Sequence, residues 1–241
     1  MEEPWTLEAD EVIVLPVDDL ALRILKDASD TNEWNWRNWV LLAEQSYGKN
    51  SAASLALVEA WTWLLNRGLV VRDVNQASGE AILVSRQGHE TLERGLPWLR
   101  AVNRLDVELL PVLEAKARPQ FLRGDFEAAA FMAMKEVEVA VREASGLSAG
   151  LLGTKLMQQA FRPSKNAAEV GGPLHNRDDE GGEAVAIMNL FAGAIGLFKN
   201  PVSHRRVDFT DPTEAAEVVL LADLLLRLLR KIKPTAKRVA E

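Results

Sequence analysis

The sequence predicts a mainly α-helical chain with one small β-hairpin, divided into two parts, and three observations predict it. Apolar residues recur at helical spacing through most of the 241 residues. Two β-rich runs, 69–74 and 81–85, flank the turn-forming segment Asn75-Gln76-Ala77-Ser78-Gly79, the pattern of a hairpin. Charge and tryptophan content change at Leu96: 8 basic and 16 acidic residues precede it, 20 and 19 follow, and six of the seven tryptophans lie before residue 97.

Composition bounds the function. Lys and Arg number 28 against 35 Asp and Glu, with 48% hydrophobic and 26% charged residues, which excludes a disordered or collagen-like chain. Zero cysteines remove disulfides, thiolate nucleophiles, cysteine-ligated zinc and iron–sulfur clusters, and suit a reducing compartment. Three histidines leave little for a metal site, so neither metal nor cofactor is expected. The pairs Gly171-Gly172 and Gly181-Gly182 lack the strand and the Lys-Ser/Thr of a phosphate-cradling loop. The longest uncharged run, 184–198, is shorter than the ~20 apolar residues of a membrane span. The acidic N-terminus is unlike a signal peptide, and the expected location is the cytoplasm.

Seven acids crowd residues 1–19, which read as an acidic tail or entry strand. Helices follow over 20–30 and 36–46, then one opened by Ser51 as N-cap and ended by Gly68. Trp34, Trp36, Trp39, Trp61 and Trp63 are spaced to build one aromatic core. Three short helices before "RGLVVRDVNQASGEAILVSRQGHETL" resemble the winged helix-turn-helix pattern, which sets a first domain at 20–96. Its groove-entering helix, 51–67, carries only Glu59 and Arg67 as charges, whereas DNA affinity comes largely from cations that neutralise phosphates. A dimerisation or partner-binding module is therefore favoured over a DNA reader, with Arg72, Arg86 and His89 near the wing as the features on the other side.

The second part, 97–234, reads as an all-α bundle with a tail at 235–241. A helical region over 96–117 is expected to bend or break at Pro111. Gly124-Asp125 caps a helix that stops at Ser145-Gly146, and a short helix follows over 150–161. Residues 163–182 have the composition of a long loop. A helix over 183–199 comes next, and Asp211-Pro212-Thr213-Glu214 opens the last helix, to about 233.

Polar chemistry concentrates at two places. In the helix after Asp125, Lys135, Glu138 and Arg142 stand three and four residues apart and share a face, while Phe126, Ala130, Ala133, Val137 and Val141 form the stripe that meets a core. The run 184–198 is apolar on every side, which predicts a bundle centre or a subunit interface. It ends in Lys199, Asn200 and Pro201, and His204, Arg205 and Arg206 follow after the break. Cations, an amide and an imidazole at one turn are the chemical parts for cleaving RNA without a metal. His175 and His89 read as surface residues.

The spacing of Lys199 and His204, with Asn200 directly after the cation, resembles the R-x(4-6)-H motif of HEPN domains. More narrowly, "FLRGDFEAAAFMAMKEVEVAVREASGL", "LMQQAF" and "LFAGAIGLFKNPVSHR", in that order, look like the Ymh-type family, whose C-terminal domain is HEPN-like, over about 105–233. The resemblance implies an all-α HEPN-like bundle that dimerises and binds RNA in a composite cleft. It implies a metal-independent endoribonuclease leaving 2′,3′-cyclic phosphate and 5′-hydroxyl ends, in a toxin, stress or antiviral-defence setting. His204 is then the general acid or base, Asn200 positions it, Arg205 adds charge and Lys199 takes the family's Arg position. Glu138 and Arg142, with Lys135, are the supporting residues. Lys in place of Arg is a departure, since Lys is a point charge without the bidentate fork that suits phosphate. The rival expectations are a non-catalytic RNA- or protein-binding module and a winged-helix DNA-binding regulator. The expected partners are RNA, a second copy of the chain, and a protein partner or antitoxin at the first domain, with DNA disfavoured and no membrane.

Overall fold

The computed structural model describes residues 6–164, 170–175, 181–199 and 211–232. Of these, 71% are helical and 4% are in strands, a mainly α fold with one two-stranded antiparallel sheet. The chain divides into two compact units, Met1–Leu99 and Arg100–Glu241.

In the first unit the acidic N-terminal stretch is neither tail nor strand where it is described. It forms α1 (Ala9–Val14), and α2 (Val17–Thr31) begins two residues after Leu15 caps it. Leu7 and Val12 are buried, and Tyr47 donates its hydroxyl to the Leu7 carbonyl at 2.8 Å. Two apolar anchors among the acids are enough to dock a helix, and Asp10 and Glu11 suit its N-terminal turn. α3 (Trp36–Tyr47) is capped by Asn35, and α4 (Ala52–Asn66) by Ser51, which accepts from the Ser54 amide at 3.1 Å. Strands β1 (Val70–Arg72) and β2 (Ile82–Val84) pair with Val71 opposite Leu83. Residue 88 must be Gly, because a Cβ there would lie 2.2 Å from the Leu69 carbonyl oxygen, where the next helix leaves the hairpin.

The tryptophans only partly form one core. Trp39 and Trp61 are buried with ring centroids 4.9 Å apart, and Trp36 stacks on Trp61 at 6.2 Å. Trp34 is 46% exposed, and Trp63 carries the Arg67 guanidinium over its ring. Aromatic residues one turn apart share a face, whereas Trp63, two positions past Trp61, points elsewhere on α4.

α5 (Arg86–Arg104) is broken at Gly95, whose φ of 81° precedes Pro97. The expected break at Pro111 is instead a helix start: Pro111 is the first residue of α6 (Pro111–Lys116), where a missing N–H costs nothing. In the second unit α7 (Arg118–Leu122) leads into α8 (Phe126–Ser145), capped by Asp125 and ended by left-handed Gly146. α9 (Gly153–Ala160), α10 (Gly181–Ala194) and α11 (Pro212–Lys231) follow. α8 and α11 pack along each other at the centre. Ala130, Ala133, Val137 and Val141 of the expected stripe are fully buried, and Phe126 packs on Phe121.

α10 is not buried all round. Phe191, Ala194 and Ile195 enter the core, and Phe191 stacks on Phe161 at 4.4 Å. Val185 and Leu190 are 42% exposed, and Leu197 is 66% exposed. The stretch Gly182–Lys199, counted as a helix, is long and apolar enough by composition to cross a membrane, which the shorter run 184–198 was not. Its buried side and the ion pair at its end fit it as one helix of this bundle.

Candidate functional site around Glu138 and Lys199

α10 does not continue as a regular helix to its end. The residues that continue it past Ala194, Ile195–Lys199, form a π-turn, a wider winding that recurs at functional sites. Gly196 stands there against α9, where a Cβ would lie 3.1 Å from Thr154 Cγ2. The wider turn shifts Lys199 around the axis relative to a regular α-helix, and its Nζ comes 3.2 Å from Glu138 Oε2.

Glu138 is 4% exposed, a burial that a carboxylate tolerates only when bonded on several sides. Arg142, one turn along α8, donates from Nη2 to Oε1 at 2.6 Å. The Gly153 amide donates to Oε2 at 3.2 Å, and Arg142 Nη2 also reaches the Leu151 carbonyl at 3.3 Å. Burial pushes the Glu138 carboxyl up, but hydrogen bonds from Arg142 and Lys199, the charge of Lys199 and the Gly153 amide outweigh it and hold the group below its ordinary value. Glu138 is therefore ionised at neutral pH and stands between the Arg142 and Lys199 cations. The Arg142 and Lys199 side chains keep 23% and 16% exposure, so both cations border solvent and offer an anionic group such as a phosphate charge-assisted hydrogen bonds, the strong kind.

The structure thus unites Glu138, Arg142 and Lys199. Lys135 shares this face of α8 but lies one turn on the other side of Glu138 from Arg142, and it is exposed rather than part of the buried cluster. Asn200, His204 and Arg205 lie outside the described residues. His175 is a correction: expected at the surface, it is 9% exposed, folded under the loop where Leu174 donates its amide to the Ala160 carbonyl at 2.8 Å. His89 is exposed.

Sequence reasoning missed the Gly153 amide. Gly153 takes φ of 59°, and a left-handed residue opening α9 turns its N–H toward α8. The clue in the sequence was a glycine as the first residue of a helix whose N-cap, Leu152, has no side chain able to cap it. Among the described residues no group of three His, Cys, Asp or Glu side chains is placed to hold a metal ion.

Fold and site together define a two-unit, mainly α-helical protein with an ion-paired polar cluster where its apolar helix ends. Residues 108–229, just over half of the chain, match the family described as a protein of unknown function (Hypoth_ymh), and the chain belongs to that family. No curated protein and no solved structure matches it.

Proposed function

We propose that the chain is a metal-independent endoribonuclease of the HEPN type, acting as a homodimer on RNA in the cytoplasm in a toxin, stress or antiviral-defence role. The observation that supports this reading is the contact of Lys199 with buried Glu138, 3.2 Å from Nζ to Oε2. It ties the first residue of the Lys199 to His204 motif to the polar pair Glu138 and Arg142 of the neighbouring helix. In this reading Arg142, Lys199 and Arg205 neutralise a phosphate. His204, positioned by Asn200, takes the proton of the 2′-hydroxyl. The 2′-oxygen bonds to phosphorus, the P–O5′ bond breaks, and the 5′-oxygen takes a proton from water, giving a 2′,3′-cyclic phosphate and a 5′-hydroxyl. The exposed apolar side of α10, with Val185, Leu190 and Leu197 around Gly193, supports a homodimer.

A total-RNA pool incubated in EDTA with wild-type protein and with His204→Ala tests the reading. Cuts that carry cyclic phosphates with the wild type and vanish with the variant are expected. Equal inactivity of both folded proteins overturns catalysis, and activity that survives the substitution removes His204 from the chemistry.

One observation favours a second reading, a non-catalytic RNA- or protein-binding module: Glu138 already takes up much of the charge of Lys199, and Lys lacks the fork of Arg. Under it His204→Ala leaves RNA affinity unchanged. The DNA-binding regulator has less behind it, because the outward side of α4 presents Leu55, Val58, Glu59 and Leu65 rather than cations. Steep salt dependence of duplex DNA binding would restore it.

A further inference from the structure

The first turn of α9 reaches both partners of the Lys199 ion pair. Gly153, its first residue, donates its amide to Glu138 Oε2 at 3.2 Å, and Lys199 Nζ stands 3.2 Å from that same oxygen. Thr154, the next residue, meets the π-turn that carries Lys199, where a Cβ on Gly196 would lie 3.1 Å from Thr154 Cγ2. Carbon atoms in ordinary contact keep about 3.5–4.0 Å, so a methyl group at position 196 obliges one side to give way. The backbone at Gly196 takes no positive φ, which leaves the contact with Thr154, and not backbone strain, as the obstacle to a side chain.

Both ways of giving way end at Glu138 Oε2. If the π-turn moves, Lys199 moves with it, since only Leu197 and Phe198 lie between. If α9 moves, the Gly153 amide moves, since Thr154 follows it directly. Either shift draws one donor away from the oxygen, and such bonds weaken steeply as alignment is lost. Arg142, which bonds the other oxygen from α8 itself, stays in place.

We propose that Thr154 and Gly196 are positioning residues, whose contact fixes where the Lys199 amine stands against Glu138 and thereby how it is presented to a phosphate of the RNA. The placement of Lys199 is independent of the nuclease reading, and its presentation to a phosphate rests on that reading. The glycine admits α9 to within reach of the π-turn, and the Thr154 methyl group sets how near the two come. A change that neither touches the RNA nor alters a charge therefore acts on the RNA through Lys199.

Four full-length proteins test it: the wild type, Gly196→Ala, Gly196→Ala with Thr154→Ser, and Gly196→Ala with Thr154→Val. Serine lacks the Cγ2 methyl group that the new Cβ meets, whereas valine keeps it. Acetic anhydride labels the amines, and mass spectrometry follows Lys199 against Lys135, an exposed lysine of α8 that serves as the internal reference. Gly196→Ala is expected to raise the labelling rate of Lys199 about fivefold, the worth of a partly exposed ion pair. Thr154→Ser is expected to return it to the wild-type rate and Thr154→Val to leave it raised. Cleavage of the RNA pool in EDTA, or affinity for it where nothing is cut, is expected to fall about fivefold with Gly196→Ala and to recover with serine alone. On helix propensity alone alanine is favoured over glycine, so a loss that only serine repairs traces to the contact. Labelling indifferent to Gly196→Ala, repair by valine as well as serine, or a Gly196→Ala chain that circular dichroism shows unfolded and serine does not refold overturns the proposal. Labelling that follows the contact while RNA cleavage or binding stays equal in all four overturns the presentation to phosphate. Labelling that follows it while none of the four binds or cuts RNA upholds the placement and overturns the RNA reading instead.

Discussion

Two buried carboxylates of the second unit, Asp223 on α11 and Glu138 on α8, are fastened alike up to a point. Asp223 accepts from Arg227 Nε, one turn along its helix, at 2.5 Å and from the Leu110 amide at 2.8 Å. Glu138 accepts from Arg142, one turn along, and from the Gly153 amide. Each arginine also donates to a carbonyl of the clamped stretch, Arg227 to Glu108 at 2.8 Å and Arg142 to Leu151 at 3.3 Å. Both clusters thus pin a loop against a long helix. The difference is Lys199. One cation and one amide are enough at Asp223, whereas Glu138 receives a second cation from the end of the π-turn. This second cation is not needed to hold the loop, and in the sequence it directly precedes the stretch with Asn200 and His204.

That contrast breaks first at Glu138. Glu138→Ala leaves two partly buried cations without their anion and is expected to cost about 4 kcal/mol, read as a lower midpoint in urea denaturation. Asp223→Ala orphans the buried Leu110 amide and is expected to cost about 2 kcal/mol in the same experiment. A larger loss for Asp223→Ala would make the two clamps equivalent and Lys199 incidental. Acid sharpens the comparison further. The Glu138 carboxyl is lowered in the folded protein, so the unfolded chain takes up its proton first as pH falls. Its contribution is complete above the ordinary carboxylate range and gone once pH drops through the folded value. Glu138→Gln is therefore expected to flatten the acid limb of the stability profile, measured by denaturation across pH. The smallest stability effect belongs to Lys199→Met, under about 1 kcal/mol, because Arg142 and Gly153 still hold Glu138. RNA cleavage or binding is expected to fall in that variant, and Lys199→Arg is expected to retain or raise it by restoring a phosphate-matching fork.

Much of the fold was legible because local signals agreed with it. Ser51, Asp125 and Asp211 cap the helices they precede, and Gly146 ends α8, since each satisfies backbone groups within its own turn. Pro111 was misread because proline breaks a helix interior and opens a helix start with the same ring, and position alone distinguishes them. The acidic stretch hid α1, since two buried side chains, Leu7 and Val12, decide its packing and composition averages them away. Of the site, the shared face of Glu138 and Arg142 followed from a spacing of four. The π-turn did not, because nothing in an apolar run announces where one extra residue enters the winding.

The sequence by itself determined the helical class, the hairpin, the core stripe of α8 and the unequal charge of the two units, because periodicity, capping and net charge act over a few residues or over sums. Only the tertiary structure decided that Glu138 is buried, that the Gly153 amide and Lys199 complete its bonds, that Lys135 stays outside, and that α10 and α4 each keep an apolar side exposed. Burial and pairing at those positions depend on residues 15 to 61 places apart in the chain meeting in space, and no local preference specifies such a meeting.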